Sequence, residues 1–326
     1  MRYNSTSSVL REIRSEMNHD SNEPSSSPPP ADAGIAAGAD GATLDGLADG
    51  FLSLDRDWRV RYLNPAAERL LRRSRLDLVG HGLWDSCPDL VGTGYYDACR
   101  GAMQTGQPTH HTGYYAPLAS WFEARAFPHE RGLAVLFRDV SREREATAQL
   151  KYQATHDYLT GLPNRLKLTE VFERERAHAL RSGTPLALVF LDIDHFKQIN
   201  DRFGHEVGDS ALTHFATVLA QRLRINDLFC RLGGEEFALL LPGSTAGQAR
   251  DIADSLRARL AAEPLRVDGD ALSMTLSAGV SSFRVDGQSL DELMLAADRR
   301  TYAAKRAGRN RVISREDLGE TSPAPG

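Results

Sequence analysis

Two glycines set between two apolar stretches constrain this chain more than any other feature. Leu228-Phe229-Cys230 runs before Gly233-Gly234, and Phe237-Ala238-Leu239-Leu240-Leu241 follows. A Gly-Gly pair in that setting predicts a hairpin, because tight hairpin turns ask for positive φ at their central residues. Strands are therefore expected over 228–232 and 236–241. Glycine also lets a ligand lie directly on the backbone. Glu235 and Glu236 come next. Consecutive strand residues face opposite sides, so these two acids should have different roles. Read alone, the segment is either a plain hairpin or a ligand-bearing turn that carries two carboxylates.

A second apolar run, Leu186 to Leu191, ends in Asp192-Ile193-Asp194-His195-Phe196-Lys197. On a regular strand Asp192 and Asp194 share a face. One reading is a strand end meeting solvent, with Asp194 as the N-cap of the following helix. The other is a site for Mg²⁺, which takes hard oxygen ligands and leaves its remaining positions to water and phosphate. Around these runs the pattern predicts helices over 164–181, 195–202, 207–223, 246–262 and 289–307. Strands are expected over 186–192, 273–280 and 310–313. The fold class is α/β (α+β), a sheet that carries helices. No internal repeat is visible.

The chain is long enough, at 326 residues, for about two domains with tails. Residues 1–42 include Ser25-Ser26-Ser27-Pro28-Pro29-Pro30 and read as a disordered tail, with a short helix possible over Leu10 to Met17. Residues 316–326, ending Ser322-Pro323-Ala324-Pro325-Gly326, read the same way. Between about 43 and 140 the order is Phe51 to Leu54, Val60 to Leu63, a helix starting at Pro65, further short helices, then strands over His110 to Tyr115, Ser120 to Ala126 and Leu133 to Val140. That order, with Asp49-Gly50-Phe51, Tyr62-Leu63-Asn64-Pro65-Ala66, Leu78-Val79-Gly80 and Phe137-Arg138-Asp139-Val140-Ser141, resembles a PAS sensor domain. Residues 141–156 follow as a charged helix with a narrow apolar stripe through Val140, Ala146 or Thr147, Leu150 and Ala154. It is either a plain connector or a coiled coil joining two protomers.

The net charge of −5 argues against a nucleic-acid-coating protein. Cys87, Cys99 and Cys230 are scattered without metal-ligand spacing and read as reduced thiols. No apolar run approaches the roughly 18 residues that cross a bilayer, and residues 1–17 lack the apolar core of a signal peptide. A cytoplasmic protein without membrane insertion is expected.

Six motifs in order over residues 157–315 resemble the GGDEF family of diguanylate cyclases. They are Asp157-Tyr158-Leu159-Thr160-Gly161-Leu162-Pro163-Asn164-Arg165, Asp192 to Asp201 (D-I-D-H-F-K-Q-I-N-D), Gly204-His205 with Gly208-Asp209, Gly233-Gly234-Glu235-Glu236-Phe237, Ser277-Ala278-Gly279-Val280, and Ala304-Lys305 with Gly308-Arg309-Asn310-Arg311. Thr301 departs from the family's usual Leu, at a position expected to serve packing. The resemblance implies a nucleotidyl cyclase-like domain whose central sheet is flanked by helices. It further implies condensation of two GTP into cyclic di-GMP and two pyrophosphates. It puts Mg²⁺, two per site, on Asp192, the Ile193 carbonyl and Glu235. Glu236 would assist deprotonation of the 3′-hydroxyl, with Glu235 and Lys197 as further catalytic groups. Asn200 and Asp209 would read the guanine edge, with His205, Phe196 and Gly234 also against the nucleotide. Lys197, Lys305 and Arg309 would meet the phosphates. Arg224 and Asp227, six residues before Gly233, match the family's inhibitory product site. Without the family they are a surface ion pair, worth little. Because each domain binds one GTP, the resemblance also implies a homodimer.

Residues 299–315 carry seven Lys or Arg, which without the family reads as a nucleic-acid patch or a solvated helix face. No nucleic-acid partner is expected. A silent GGDEF domain that only binds nucleotide, and a scaffold built on the PAS half, are the competing functions. Retention of Asp192, Gly233, Gly234, Glu235 and Glu236 weighs against the first. In the N-terminal half, His81, His110 and His111 are either surface residues or ligands to a haem or metal. Trp84, Tyr95, Tyr96, Tyr114, Tyr115 and Trp121 read as core or as the wall of a small pocket. The PAS ligand is not named by the sequence.

Overall fold

Along Leu186–Ile193 every side chain is buried, odd- and even-numbered alike, so both faces of this strand must be covered. In the computed structural model, which describes residues 41–267 and 269–319, helices cover both. The chain divides into two units between Leu150 and Lys151. The tail expected over 1–42 and the helix at Leu10 to Met17 lie outside the described residues, apart from the start of a short helix at Gly41–Asp45.

In the N-terminal unit five antiparallel strands, β1 (Gly50–Asp55), β2 (Val60–Leu63), β3 (Thr109–Tyr115), β4 (Ser120–His129) and β5 (Gly132–Asp139), pair in the order β2-β1-β5-β4-β3. Helix α1 (Pro65–Leu71) begins as its sequence predicts. Pro65 stands at the first helical position, and the buried Asn64 side chain accepts from the Ala67 N–H. The same Asn64 side chain accepts from Phe51 N and donates to Leu44 O and Asp49 O, so one residue both caps the helix and fastens β1. Helix α2 (Gly94–Thr105) lies over the sheet and turns Tyr95, Cys99 and Ala102 inward. Trp121, Tyr95 and Tyr115 are buried, Trp84 and Tyr96 half-buried. Tyr114, expected in the core or a pocket wall, is exposed because β3 is an edge strand and this residue faces outward. His111 stands edge-on to the Tyr95 ring, and the exposed His110 pairs with Glu123. Helix α3 (Ser141–Thr155) follows, and its Leu150 is 67% exposed.

In the C-terminal unit β6 (Leu186–Ile193), β7 (Leu228–Gly233), β8 (Glu236–Pro242), β11 (Leu276–Ser282) and β12 (Arg311–Ile313) form a sheet in the order β12-β11-β6-β8-β7. Only β11 and β12 run parallel. Ala187, Val189 and Leu191 pack with α5 (Phe196–Phe203), α6 (His205–Ala220) and α7 (Ala246–Ala262). Leu186, Leu188 and Phe190 pack with α4 (Arg165–Ser182) and α8 (Leu290–Arg306). Capping boxes at Thr245/Gln248 and Ser289/Glu292 fix the starts of α7 and α8.

Three expectations are corrected here. Strand β11 starts at Leu276 and not at 273, since a small hairpin, β9 (Leu265–Val267) and β10 (Asp270–Leu272), takes up the preceding chain. Helix α6 starts two residues earlier than predicted, directly after Gly204 at φ 84°, and ends at Ala220. Order continues past 315: Glu316–Leu318 forms a helical turn in which Asp317 accepts from Ser314 and pairs with Arg250. Residues 320–326 lie outside the described residues.

Candidate active site

The hairpin between β7 and β8 is tighter than the sequence suggests. Gly233 still pairs with Glu236, so the turn proper is Gly234-Glu235, with positive φ at Gly234 (53°). The ladder slips between Arg231 and Gly233, a bulge next to the turn. The two acids separate, though not as opposite faces of one strand: Glu235 occupies the turn, while Glu236 opens β8 directly opposite Asp192 of β6. The Glu235 carbonyl accepts from Ile193 N–H at 3.3 Å, which ties the turn to the end of β6.

Asp192 is 5% exposed and Lys305 of α8 places its Nζ 2.6 Å from Asp192 Oδ2. Burial pushes this carboxyl up, to about 6, against the pull of Lys305; the charges of Glu235 and Glu236 push the same way. A concentration of negative charge at a buried strand end, held by a single lysine, is suited to a hard cation. Among the described residues no three His, Cys, Asp or Glu side chains form a ready cage. Mg²⁺ asks for less, one or two carboxylates with the rest water and phosphate, so the donor set Asp192, Glu235 and a backbone carbonyl fits it.

Asp194, one of the two carboxylates of the sequence pattern, has a structural job instead. It accepts from Thr275 Oγ1 (2.8 Å), Ser277 Oγ (2.7 Å) and Asn310 N (2.9 Å), joining β6 to β11 and to the chain before β12. It is not the N-cap: His195, at φ 60°, holds that position with no side-chain cap bond.

Across α5 and α6, Asn200 and Gly208 come together so closely that a Cβ at Gly208 would stand 1.8 Å from Asn200 Oδ1. A side chain at 208 would push the Asn200 amide aside. Asp209, next in line, and His205 are exposed, as is Lys197 on the first turn of α5. Phe196, for which the resemblance implies a place against the nucleotide, is buried with its ring under Gly208. Arg309 is half-buried with a left-handed backbone (φ 62°) next to Asn310. The basic run 299–315 is divided: Arg300 and Arg315 both pair with Asp286 and Lys305 pairs with Asp192, while Arg299, Arg306 and Arg311 are exposed. Thr301, the departure from the family pattern, is buried, its hydroxyl within reach of Phe190 O and Ala297 O.

Sequence reasoning missed one interaction that shapes the turn. Arg231 NH1 grips both oxygens of Asp157 (2.9 and 3.1 Å), while its Nε and NH2 donate to Gly234 O. Burial alone would raise the Asp157 carboxyl, but bonds from Thr160 and Arg231 hold it below the usual range. Asp157 opens one of the motifs and Arg231 lies in the strand expected over 228–232; a separation of 74 positions gave no sign that they meet.

Arg224 and Asp227 form a turn rather than the surface ion pair. Asp227 Oδ2 accepts from Arg224 N–H at 2.8 Å, which leaves the Arg224 side chain exposed, beside a fully exposed Ile225. Asp227 borders a groove of about 720 Å³ whose other wall, on α4, carries Lys167, Arg174, Glu175, His178 and Arg181.

Residues 154–311 match the family profile described as diguanylate cyclase, GGDEF domain, and residues 44–145 match the PAS fold. The diguanylate cyclase DgcP of Pseudomonas aeruginosa is 44% identical over 186 residues, 55% of this chain and 27% of that protein. The response regulator PleD of Caulobacter vibrioides is 39% identical over 164 residues, 50% of this chain and 36% of that protein. The chain thus spans half or less of the curated relatives it matches. A solved structure of the coiled coil and GGDEF domain of DgcB from Caulobacter crescentus, in complex with c-di-GMP, superposes with a TM-score of 0.50 at 33% identity, covering 54% of this chain and 93% of that one. No helix among the described residues is long and apolar enough to cross a membrane.

Proposed function

Because the chain belongs to the GGDEF family through residues 154–311 and has the PAS fold over 44–145, we propose that it is a diguanylate cyclase governed by its N-terminal domain. The observation that carries this reading is the register of β6 and β8, which sets Asp192 against Glu236 beside an intact Gly234-Glu235 turn. Silent relatives would be expected to have lost these groups.

In this reading Asp192, the Ile193 carbonyl and Glu235 hold Mg²⁺, two ions per site. Bound there, Mg²⁺ would supply Lewis-acid polarisation at the 3′-hydroxyl and charge neutralisation at the pyrophosphate. The chain's own groups do the rest by positioning and charge. Asn200 and Asp209 hydrogen-bond the guanine edge, with His205 near it, and Gly234 gives the nucleotide room to lie on the backbone. Lys305 leaves Asp192 for the phosphates, joined by Lys197 and Arg309. Glu236 accepts the proton of the 3′-hydroxyl.

One unit supplies one hairpin, and the reaction joins two GTP, so two copies must face each other in a homodimer. The exposed stripe through Leu150 supports pairing along α3. Arg224, which has the fork that reads guanine O6 and N7, and Asp227 serve as an inhibitory product site. On the α4 wall of the adjoining groove Lys167 and Arg174 pair with Glu170 and Glu175, and Arg181 is the remaining arginine toward an anionic ligand. The test is incubation with GTP and Mg²⁺, the product identified by mass, beside a Glu235→Ala/Glu236→Ala control. Cyclic di-GMP from the unaltered chain alone is the expected result; no product, or equal product from both, overturns the reading. Arg224→Ala should relieve inhibition by added cyclic di-GMP.

A further inference from the structure

Two carboxylates at the end of β6 hold the two ends of one corner of the chain. Asp192 Oδ2 meets Lys305 on the last turn of α8, and Asp194 Oδ2 accepts from the Asn310 N–H at 2.9 Å. Between these ties the chain turns sharply out of the helix. Arg309 (φ 62°) and Asn310 (φ 46°) are both left-handed. Residues with a side chain visit that region singly and at a cost, so two in succession persist only where neighbours impose them. Hydrogen bonds do so here. Arg309 N–H donates to Ala304 O at 3.0 Å, Arg311 Nε to Arg309 O at 3.1 Å, Arg257 NH1 to Asn310 Oδ1 at 3.0 Å, and Asn310 N–H to Asp194. Of these bonds only the last reaches β6, the strand that carries Asp192.

Asp194 is firmly held. It is 5% exposed, and the hydroxyls of Thr275 and the fully buried Ser277 both donate to its carboxylate. Its own N–H donates to Thr275 O at 2.9 Å. The Arg309 side chain is the opposite case. It is half-buried, and among the described residues its guanidinium has no hydrogen-bond or ion-pair partner. A rigid acceptor thus fixes the backbone beneath a free cation.

We propose that Asp194 is a positioning residue for nucleotide phosphates: through the Asn310 N–H it sets the 305–310 corner, and with it Arg309, at the end of β6. The inference rests on the GTP site proposed above. Its consequence there is a division of labour between two carboxylates. When Lys305 gives up Asp192 for the phosphates, the bond to Asp194 still ties the corner to β6.

The probe is 3′-deoxy-GTP, which carries all three phosphates but has no 3′-hydroxyl to react. It is titrated calorimetrically into the full chain with Mg²⁺. Asp194→Ala should weaken its binding about tenfold, the loss of one charge-assisted contact. Arg309→Ala should cost the same, and the double variant no more, because the two residues act as one unit. Asp194→Asn keeps an acceptor for the Asn310 N–H while its amide donates to Ser277 Oγ, so it should bind within about twofold of the unaltered chain. Asp194→Glu keeps the charge but displaces the acceptor by a methylene, and should bind as weakly as Asp194→Ala. Thr275→Val removes one donor to Asp194 without touching the corner; it should lower the thermal midpoint and leave binding unchanged.

Losses that multiply in the double variant overturn the proposal. So does an Asp194→Asn as weak as Asp194→Ala, which would assign the role to charge and not to placement. Should Asp194→Ala not fold, Asp194→Asn and the same cycle run on Asp194→Glu decide. Binding by the unaltered chain without cyclic di-GMP from GTP would sink the cyclase reading alone, since the cycle measures binding. Absence of binding would sink both.

Discussion

The two units are built on opposite principles. At the centre of the C-terminal unit stand polar atoms at fixed distances: Lys305 on Asp192, Arg231 on Asp157 and on Gly234 O, Asp194 on Thr275, Ser277 and Asn310. The N-terminal unit has a small apolar space between its sheet and α2, and apart from the buried Asn64 and the Tyr95 hydroxyl its polar side chains lie toward the surface. Glu123 gathers His110, Arg125 and Arg138 on the sheet, and Arg138 continues to Glu143 at the start of α3. A site that transfers phosphoryl groups must hold charge, which demands specific donors and acceptors. A cavity needs only shape.

If that contrast is right, a single polar atom should count for much in one unit and little in the other. The largest effect is expected from Asp192→Asn, which removes a carboxylate that nothing else in the site replaces. Cyclic di-GMP formation from GTP should fall by about a thousandfold or more, with the circular dichroism spectrum unchanged. Arg231→Ala comes next. It releases Asp157 and Gly234 O together and should lower turnover roughly 30- to 100-fold, the cost of a misplaced turn. Restored activity in Arg231→Lys would show that charge alone suffices, whereas the two-sided grip seen here predicts poor rescue. Gly208→Ala drives a methyl group into Asn200 Oδ1 and should raise the KM for GTP about tenfold while leaving the thermal midpoint within a few degrees.

The smallest change is expected from Glu123→Gln, and it should fall on stability. Burial by itself would raise this carboxyl, but Arg138, His110 and Arg125 outweigh it and bring it down to about 2 from an ordinary 4.5. A depressed carboxylate contributes stability above its unfolded value and loses it as pH falls through the folded one. The unaltered chain should therefore exceed Glu123→Gln by about 1 kcal/mol at pH 7, after allowance for solvent screening. The gap should close between about pH 4.5 and 2, as read by tryptophan fluorescence in urea. If Glu123→Gln instead cut GTP turnover as deeply as Arg231→Ala, the contrast between the units would be wrong.

How much was legible in advance follows the same division. Nearly every strand and helix was visible from apolar runs and caps, because periodicity and capping are local. The β9–β10 hairpin went unread although Asp268-Gly269, a strong turn signal, stands in the sequence. The pair Asp192 and Asp194 looked alike in sequence. The structure gives them different neighbours, Lys305 for one and three donors, from Thr275, Ser277 and Asn310, for the other. Phe196 lay inside the motif that follows β6, and only the structure shows its ring buried under Gly208.

The sequence by itself determined that the chain has a sheet-rich N-terminal unit, a charged helix, and a C-terminal unit that joins a glycine hairpin to strand-end acids. Local spacing and side-chain chemistry are enough for that. Only the tertiary structure decided that the turn proper is Gly234-Glu235, that Arg231 reaches back 74 positions to Asp157, and that small residues at 99 and 124 leave an apolar space. Such facts depend on which atoms meet across long separations in the chain. Neither a distance between distant residues nor the absence of a side chain leaves a periodic trace in sequence.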